Sequence, residues 1–121
     1  MKSLARTILP LCLALFAAAL GAESRVHLSE TLERTTASVV YPVDCDGKAG
    51  SVRIEVSARV EDGEIAWTLV DPSGRTRLTG AGNAGKVRGD TGSLEPVVGR
   101  WELRVGLNRF TGNYRIDGSA R

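Results

Sequence analysis

The sequence predicts an all-β protein: a single antiparallel β-sandwich of six to eight strands, jelly-roll-like in arrangement. Three observations support this fold class. Apolar and polar residues alternate with period two over several stretches, which is the pattern of strands with one buried face. Glycine, proline and aspartate separate these short stretches, as they do in sandwiches. Beyond residue 22 no stretch has the spacing of an amphipathic helix.

The N-terminus has the layout of a secretory signal peptide. Lys2 and Arg6 precede residues 7–22, an uncharged stretch that ends in small residues. This stretch of 16 residues is shorter than the roughly 20 that a membrane-spanning helix needs. We therefore expect a secreted or periplasmic protein with no membrane span in the mature chain.

The end of this stretch sets the predicted domain boundary. Small residues favour cleavage after Gly21 or after Ala22, so we assign residues 1–22 to the signal peptide and residues 23–121 to one sandwich domain. Without the signal peptide, 14 basic residues stand against 14 acidic ones. A neutral chain with scattered arginines lacks the clustered positive charge that nucleic-acid binding requires, and we expect no such partner.

The clearest strand begins at Ser51, where Val52 to Val60 alternate with polar residues. Glu61 to Gly63 then predicts a hairpin turn, since glycine can adopt the positive φ that tight turns need. The return strand, residues 64–70, is apolar on both faces, which predicts a central position in the sheet. Its inward residues are predicted to be Ile65, Trp67 and Leu69.

Asp71 to Gly74 predicts a β-turn with proline at its second position. A short strand follows, and the glycine-rich residues 80–99 predict a loop with at most short strand pieces. A strand with Trp101, Leu103 and Val105 facing inward comes next, then a turn at residues 108–112. The last strand places Tyr114 and Ile116 inward.

The region before Ser51 is less regular. Residues 25–32 alternate imperfectly, and residues 38–43 form a β-branched run that Pro42 interrupts. Since proline cannot donate a ladder hydrogen bond, this run is predicted to lie at an edge or to begin after the proline.

Three of these segments together resemble a known family. They are the turn of Leu69 to Gly74, the Gly-x-Trp-x-Leu-x-Val strand of Gly99 to Val105, and Gly112 with Tyr114 at the last strand. In this combination the sequence resembles the jelly-roll sandwiches appended to secreted bacterial proteases, the proprotein-convertase P domain and the bacterial pre-peptidase C-terminal domain. The resemblance implies a non-catalytic sandwich module. It carries no site residue over, and no calcium ligand matches.

The residues that could support catalysis are few. His27 is the only histidine, and Cys45 is the only thiol outside the predicted signal peptide. A nucleophile needs a base and an orienting group that converge on it, and nothing in the sequence places such groups together. We therefore predict that the protein is not an enzyme and uses no cofactor.

Cys45 lies between Asp44 and Asp46 and before Gly47, in a stretch that reads as an exposed turn. An unpaired cysteine in an exported chain is unusual, because disulfides form in that compartment. It is either buried and inert or available to a partner cysteine. The two aspartates fall short of the ligands that a calcium loop needs, and one cysteine with one histidine is half a zinc site.

The leading functional interpretation is an exported, non-catalytic sandwich that acts by binding a protein or a polysaccharide, or by structural contact. One alternative is a thiol-dependent envelope protein that forms a Cys45-linked dimer or mixed disulfide. Another is a carbohydrate- or calcium-binding accessory module. We expect Trp67, Trp101 and Tyr114 to be core residues, and one of them on the surface would favour carbohydrate binding. The oligomeric state is left open.

Overall fold

A computed structural model describes residues 18–20, 25–48 and 50–121 of the chain. Those residues form six strands and no helix. Across the sheet the order is β1-β2-β6-β3-β4, and β5 also pairs with β3. All pairs are antiparallel except the short β1, which is parallel to β2. The strands are β1 (Ala18–Leu20), β2 (Arg25–Cys45), β3 (Val52–Val70), β4 (Thr76–Gly82), β5 (Gly85–Asp90) and β6 (Gly99–Ala120).

The predicted signal peptide and its cleavage site stay predictions. Its described part is the backbone of β1, and the rest, including Gly21 and Ala22, lies outside the described residues. Within the described ranges, no helix has the length and apolar character to cross a membrane.

Three strands are much longer than usual. β2, β3 and β6 have 21, 19 and 22 residues, whereas strands typically have about 5–6. Their pairing registers shift at one common level, within residues 32–37 of β2, 60–64 of β3 and 107–112 of β6. We call this level the corner, because β-bulges bend the strands that contain them.

Two predicted turns are therefore wrong. Residues 61–63 and 108–112 lie inside β3 and β6, which continue through them. Gly63 does adopt a positive φ of 77°, but the chain resumes pairing with the same neighbour on the far side. A glycine with positive φ suits a bulge as well as a hairpin, and only the neighbouring strand decides between them.

The corner is held by hydrogen bonds between β2 and β6. Arg34 and Arg109 have positive φ values of 44° and 49°. The amide of Arg34 donates to Thr111 Oγ1, and the amide of Arg109 donates to Thr36 Oγ1, each at 3.0 Å. Phe110 is fully buried at the bend, so the corner is packed as well as hydrogen-bonded.

The bend divides the sheet into two layers. Layer I contains residues 25–32, 52–60, 85–90 and 112–119, and layer II contains residues 37–45, 65–70, 76–82 and 99–107. Tyr41 of layer II and Tyr114 of layer I join their hydroxyls at 2.5 Å in the interior. The predicted antiparallel β-sandwich is thus confirmed.

One apolar cluster fills the space between the layers. The predicted inward residues of residues 51–60, 64–70, 100–107 and 113–118 are all buried, so the period-two pattern assigned the faces correctly. They are Val52, Ile54, Val56, Ala58, Val60, Ile65, Trp67, Leu69, Trp101, Leu103, Val105, Tyr114 and Ile116.

The glycine-rich residues 80–99 contain more strand than the predicted loop with short strand pieces, since they include the end of β4 and all of β5. Trp67 explains two of these glycines. A Cβ on Gly80 would overlap the Trp67 indole, and one on Gly89 would lie 2.8 Å from its Nε1 atom. The missing side chains let β4 and β5 approach the indole closely.

We expect Gly63→Ala to destabilise the fold more than Gly74→Ala does. Both glycines have positive φ, 77° and 89°, which costs an L-residue about 1–2 kcal/mol. Only at Gly63 would the new Cβ overlap backbone atoms of Asn108 and Arg109, whereas at Gly74 it meets nothing within 4 Å. Overlap of this kind adds about 1–3 kcal/mol. Urea denaturation of both variants measures the difference, and equal losses would contradict the packed corner.

Candidate functional site

Cys45 lies at the end of β2, and its side chain faces the core rather than solvent. It is 3% exposed, belongs to the apolar cluster and is unpaired. Its aspartate neighbours are on the surface: Asp44 accepts from Arg100 Nε at 3.0 Å, and Asp46 accepts from the Lys48 amide at 2.9 Å. The stretch is thus a turn that follows a buried cysteine. This placement favours the inert alternative over the Cys45-linked dimer.

His27 does not meet Cys45. It lies near the other end of β2, with its side chain 56% exposed and its Nδ1 atom 2.6 Å from Asp117 Oδ1. Those two residues face each other in the β2–β6 register, 90 positions apart in the chain. The sequence pattern does not indicate this pair, because only the β2–β6 register brings the two residues together.

No described aromatic side chain is available as a sugar platform. All of them are at most 2% exposed: Tyr41, Trp67, Trp101, Phe110 and Tyr114. The predicted core role of Trp67, Trp101 and Tyr114 agrees with this placement. Burial raises the pKa of Tyr114 to about 12, so the interior tyrosine pair stays protonated at neutral pH.

Asp71, in the predicted turn after β3, is a buried structural group. Its Oδ1 atom accepts from the Ser73 hydroxyl at 2.6 Å and from the Ser73 amide at 2.8 Å, and its Oδ2 atom accepts from Arg77 at 2.8 Å. These bonds, the Ser73 hydroxyl first, hold the pKa of Asp71 well below its usual range. Both oxygens of the Asp71 carboxylate therefore have partners within the protein. Arg77 also lies over the Trp101 ring, 5.8 Å from its centroid.

Within the described ranges there is no group of three or more histidine, cysteine, aspartate or glutamate residues that could hold an ion. The calcium alternative gains no site from these residues.

A shallow groove of about 480 Å³ crosses the outer face of layer II. Four small residues lie side by side across four strands and form its floor, namely Ser38, Gly106, Ala66 and Ala81. Three polar residues also line the groove, namely Asn108, Glu64 and Asn83. We call this surface the cross-strand groove. Four strands span about 14 Å at the usual strand spacing, which suits an extended ligand.

Gly106 is the informative residue of this floor. Its φ is not positive, and a Cβ built on it would meet no atom within 4 Å. The other glycines whose surroundings are described have a positive φ, a close neighbour or both. Packing and backbone geometry thus leave Gly106 unexplained in the middle of β6. A glycine inside a strand marks a bulge, a bend or a place where a ligand or another backbone approaches closely, and Gly106 lies just before the corner.

The outer face of layer I is charged instead. Arg88 donates to Glu55 at 2.7 Å, and Arg53 donates through Nε to Asp90 at 2.9 Å. Arg88, Gly89 and Asp90 form the tripeptide of cell-adhesion ligands, but they lie in β5 with both charges paired. This stretch is therefore part of the sheet and not a displayed loop.

Comparisons with known proteins bear on the fold. No protein-family model matches the chain, and no curated protein matches its sequence. The pre-peptidase C-terminal domain of a collagenase from Bacillus anthracis superposes with a TM-score of 0.50 at 19% identity, covering 84% of this chain and 93% of that one. The PBSX exported protein XepA superposes with a TM-score of 0.54 at 12% identity, covering 80% of this chain and 36% of that one.

The chain thus has the β-sandwich fold of the pre-peptidase C-terminal domain, and the resemblance seen in the sequence is confirmed at the level of fold. At these identities the likeness shows the fold and says nothing about ligands.

We expect Cys45 to react slowly with a thiol reagent in the folded protein and rapidly after denaturant is added. A buried thiol reacts only when the structure around it unfolds locally. The measurement is reagent uptake, with Cys45→Ser to assign the signal. Two results would support the disulfide alternative instead. They are rapid reaction of the folded protein with the reagent, and a dimer on non-reducing electrophoresis that reductant converts to monomer.

We expect Asp90 to contribute stability that is lost in acid. The side-chain hydrogen bond from Arg53, followed by the Gly92 amide, lowers the pKa of Asp90 to about 2. Because the folded pKa is below the unfolded value, the contribution is complete above about pH 4 and disappears as pH falls through about 2. Melting temperatures between pH 5 and 2 should therefore fall less steeply for Asp90→Asn than for wild type. The exposed Glu61→Gln variant is the control. If the melting temperature of Asp90→Asn falls with pH as steeply as that of wild type, Asp90 is not the source of this acid-sensitive stability.

Proposed function

We propose that the protein is an exported, non-catalytic binding module that holds an extended polysaccharide in the cross-strand groove. Gly106 carries the proposal. A glycine inside a strand costs about 0.5–1 kcal/mol relative to alanine, and neither its φ nor its neighbours require it here. The lower stability has a physical reason if a side chain at residue 106 would block a ligand from the outer face of the sheet.

The chemistry of the groove supports a hydroxyl-rich ligand. The Asn108 and Asn83 amides can donate and accept, and the Glu64 carboxylate accepts. In the next row of the sheet, Thr68 and Thr79 add hydroxyls in register, beside Arg104 and the exposed Val40. A peptide ligand would need apolar anchor pockets, and a floor of serine, glycine and alanine has none.

The absence of an exposed aromatic side chain among the described residues lowers the expected affinity for a polysaccharide. Stacking on tryptophan or tyrosine supplies much apolar contact in binding sites, and this groove relies on hydrogen bonds and shape instead. Each net hydrogen bond contributes about 0.5–1.5 kcal/mol. We therefore expect affinities in the micromolar to millimolar range, about −8 to −4 kcal/mol.

We expect Gly106→Val to weaken polysaccharide binding without weakening the fold. A valine side chain would rise from the floor, and its Cβ meets no atom that must move. The companion Ala66→Gln fills the floor from β3, and Ala84→Gln changes an exposed alanine outside the groove. Affinity electrophoresis in soluble xylan, galactan and mixed-linkage glucan measures binding. Both floor variants should lose roughly tenfold, or about 1.4 kcal/mol.

The same position separates binding from stability. Gly106→Ala should raise the free energy of unfolding by about 0.5–1 kcal/mol while it lowers affinity. Unchanged retardation of Gly106→Val and Ala66→Gln, in a gel that retards wild type, would exclude this groove as the ligand site. Failure of wild type to bind any of the three polymers would count against the polysaccharide itself.

A further inference from the structure

A second concavity, of about 590 Å³, lies at the open end of layer I. It is formed by the start of β2, the start of β3, the end of β6 and the chain around Ser93. We call it the arginine groove after Arg25, Arg53 and Arg121, which line it. It lies on the other layer from the cross-strand groove, and nothing in the proposed function uses it.

The two acids of this groove are already engaged by the protein. Asp117 Oδ1 lies 2.6 Å from His27, and Asp117 Oδ2 lies 3.8 Å from Arg115. Glu55 accepts from Arg88 at 2.7 Å. Both carboxylates of the groove therefore already have hydrogen-bond or ion-pair partners within the protein.

Two of the three arginines are not balanced. Arg53 is held by Asp90, whereas Arg25 and Arg121 form no ion pair within the described residues. Both are exposed. The uncommitted side-chain charge at the groove is thus positive, although the mature chain as a whole is predicted to be neutral.

Hydroxyl groups accompany these guanidinium groups. Ser51, Ser93 and Ser119 line the same groove, and among the described residues their hydroxyls have no side-chain hydrogen bond. The backbone holds the arrangement in place. Ser119 pairs with Arg25 on one side and with Arg53 on the other. The Arg121 amide donates to the Ser51 carbonyl at 3.0 Å.

We propose that the arginine groove binds an oxyanion group, a carboxylate or a sulfate, of an acidic polymer. A guanidinium group binds such an anion through two parallel N–H donors, and the serine hydroxyls supply further donors. Arg25 and Arg121 provide the charge that the protein leaves unpaired. Arg25 is the first residue of β2, and the Arg121 backbone is hydrogen-bonded to Ser51 just beyond the end of β6, so both donors are attached to a structured backbone.

The test is titration calorimetry of the purified full chain with polygalacturonate, which carries carboxylates, and with dextran sulfate, with unmodified dextran as the reference. The variants are Arg25→Gln and Arg121→Gln, singly and together. Arg59→Gln, which removes an exposed arginine of β3 outside the groove, is the matched control. Thermal melts verify that every variant is folded.

We expect one or both acidic polymers to bind more tightly than dextran, with affinity that falls as salt rises because charge pairing is screened. The double variant should lose at least about tenfold in affinity, or about 1.4 kcal/mol, while Arg59→Gln keeps wild-type binding. Binding of one acidic polymer alone identifies the oxyanion as carboxylate or sulfate, and binding of both shows that the groove accepts either group.

Three results would overturn the proposal: neither acidic polymer binds more tightly than dextran, the folded double variant binds like wild type, or Arg59→Gln loses as much as the double variant. The Gly106→Val variant keeps the two sites distinguishable. It should bind acidic polymers normally even where it fails on neutral ones, so the failure of one proposal leaves the other standing.

Discussion

Three neighbouring strands bend at one level, and this corner is the constraint on which the rest of the structure depends. β2, β3 and β6 each pass through it without ending. A bend in one strand alone would break its ladders, so the three must bend together. Gly63 and Gly112 make this geometry possible, since a Cβ on either would overlap a neighbouring backbone. The two layers, the interior and the outer faces all follow from where this bend falls.

Packing across the layers explains features that look functional in isolation. The glycines of residues 80–99 suggest a loop, yet Gly80 and Gly89 make room for the indole of Trp67. Asp71 has a strongly perturbed carboxyl, yet it organises a turn and holds Arg77 against Trp101. Perturbed groups mark structural networks as well as active sites. Here their partners identify them as structural.

The surfaces that we propose as binding sites are on the outer faces of the two layers. Layer II presents a row of small residues bordered by amides and a carboxylate, whereas layer I presents paired charges and two unpaired arginines. Both surfaces are assembled from residues that alternate with core positions along the same strands. A shared sandwich fold does not specify such faces, because outward residues can change without disturbing the core.

The sequence by itself determined which side is buried in residues 51–60, 64–70, 100–107 and 113–118, because period-two alternation is a local property of the chain. It also indicated the turn at Asp71 and the sandwich class. It did not distinguish a hairpin from a bulge at Gly63, since the same positive φ serves both and the choice depends on β6. Only the tertiary structure placed Gly106 beside Ala66 and His27 beside Asp117. Those neighbours come from strands distant in sequence, whose register the corner sets.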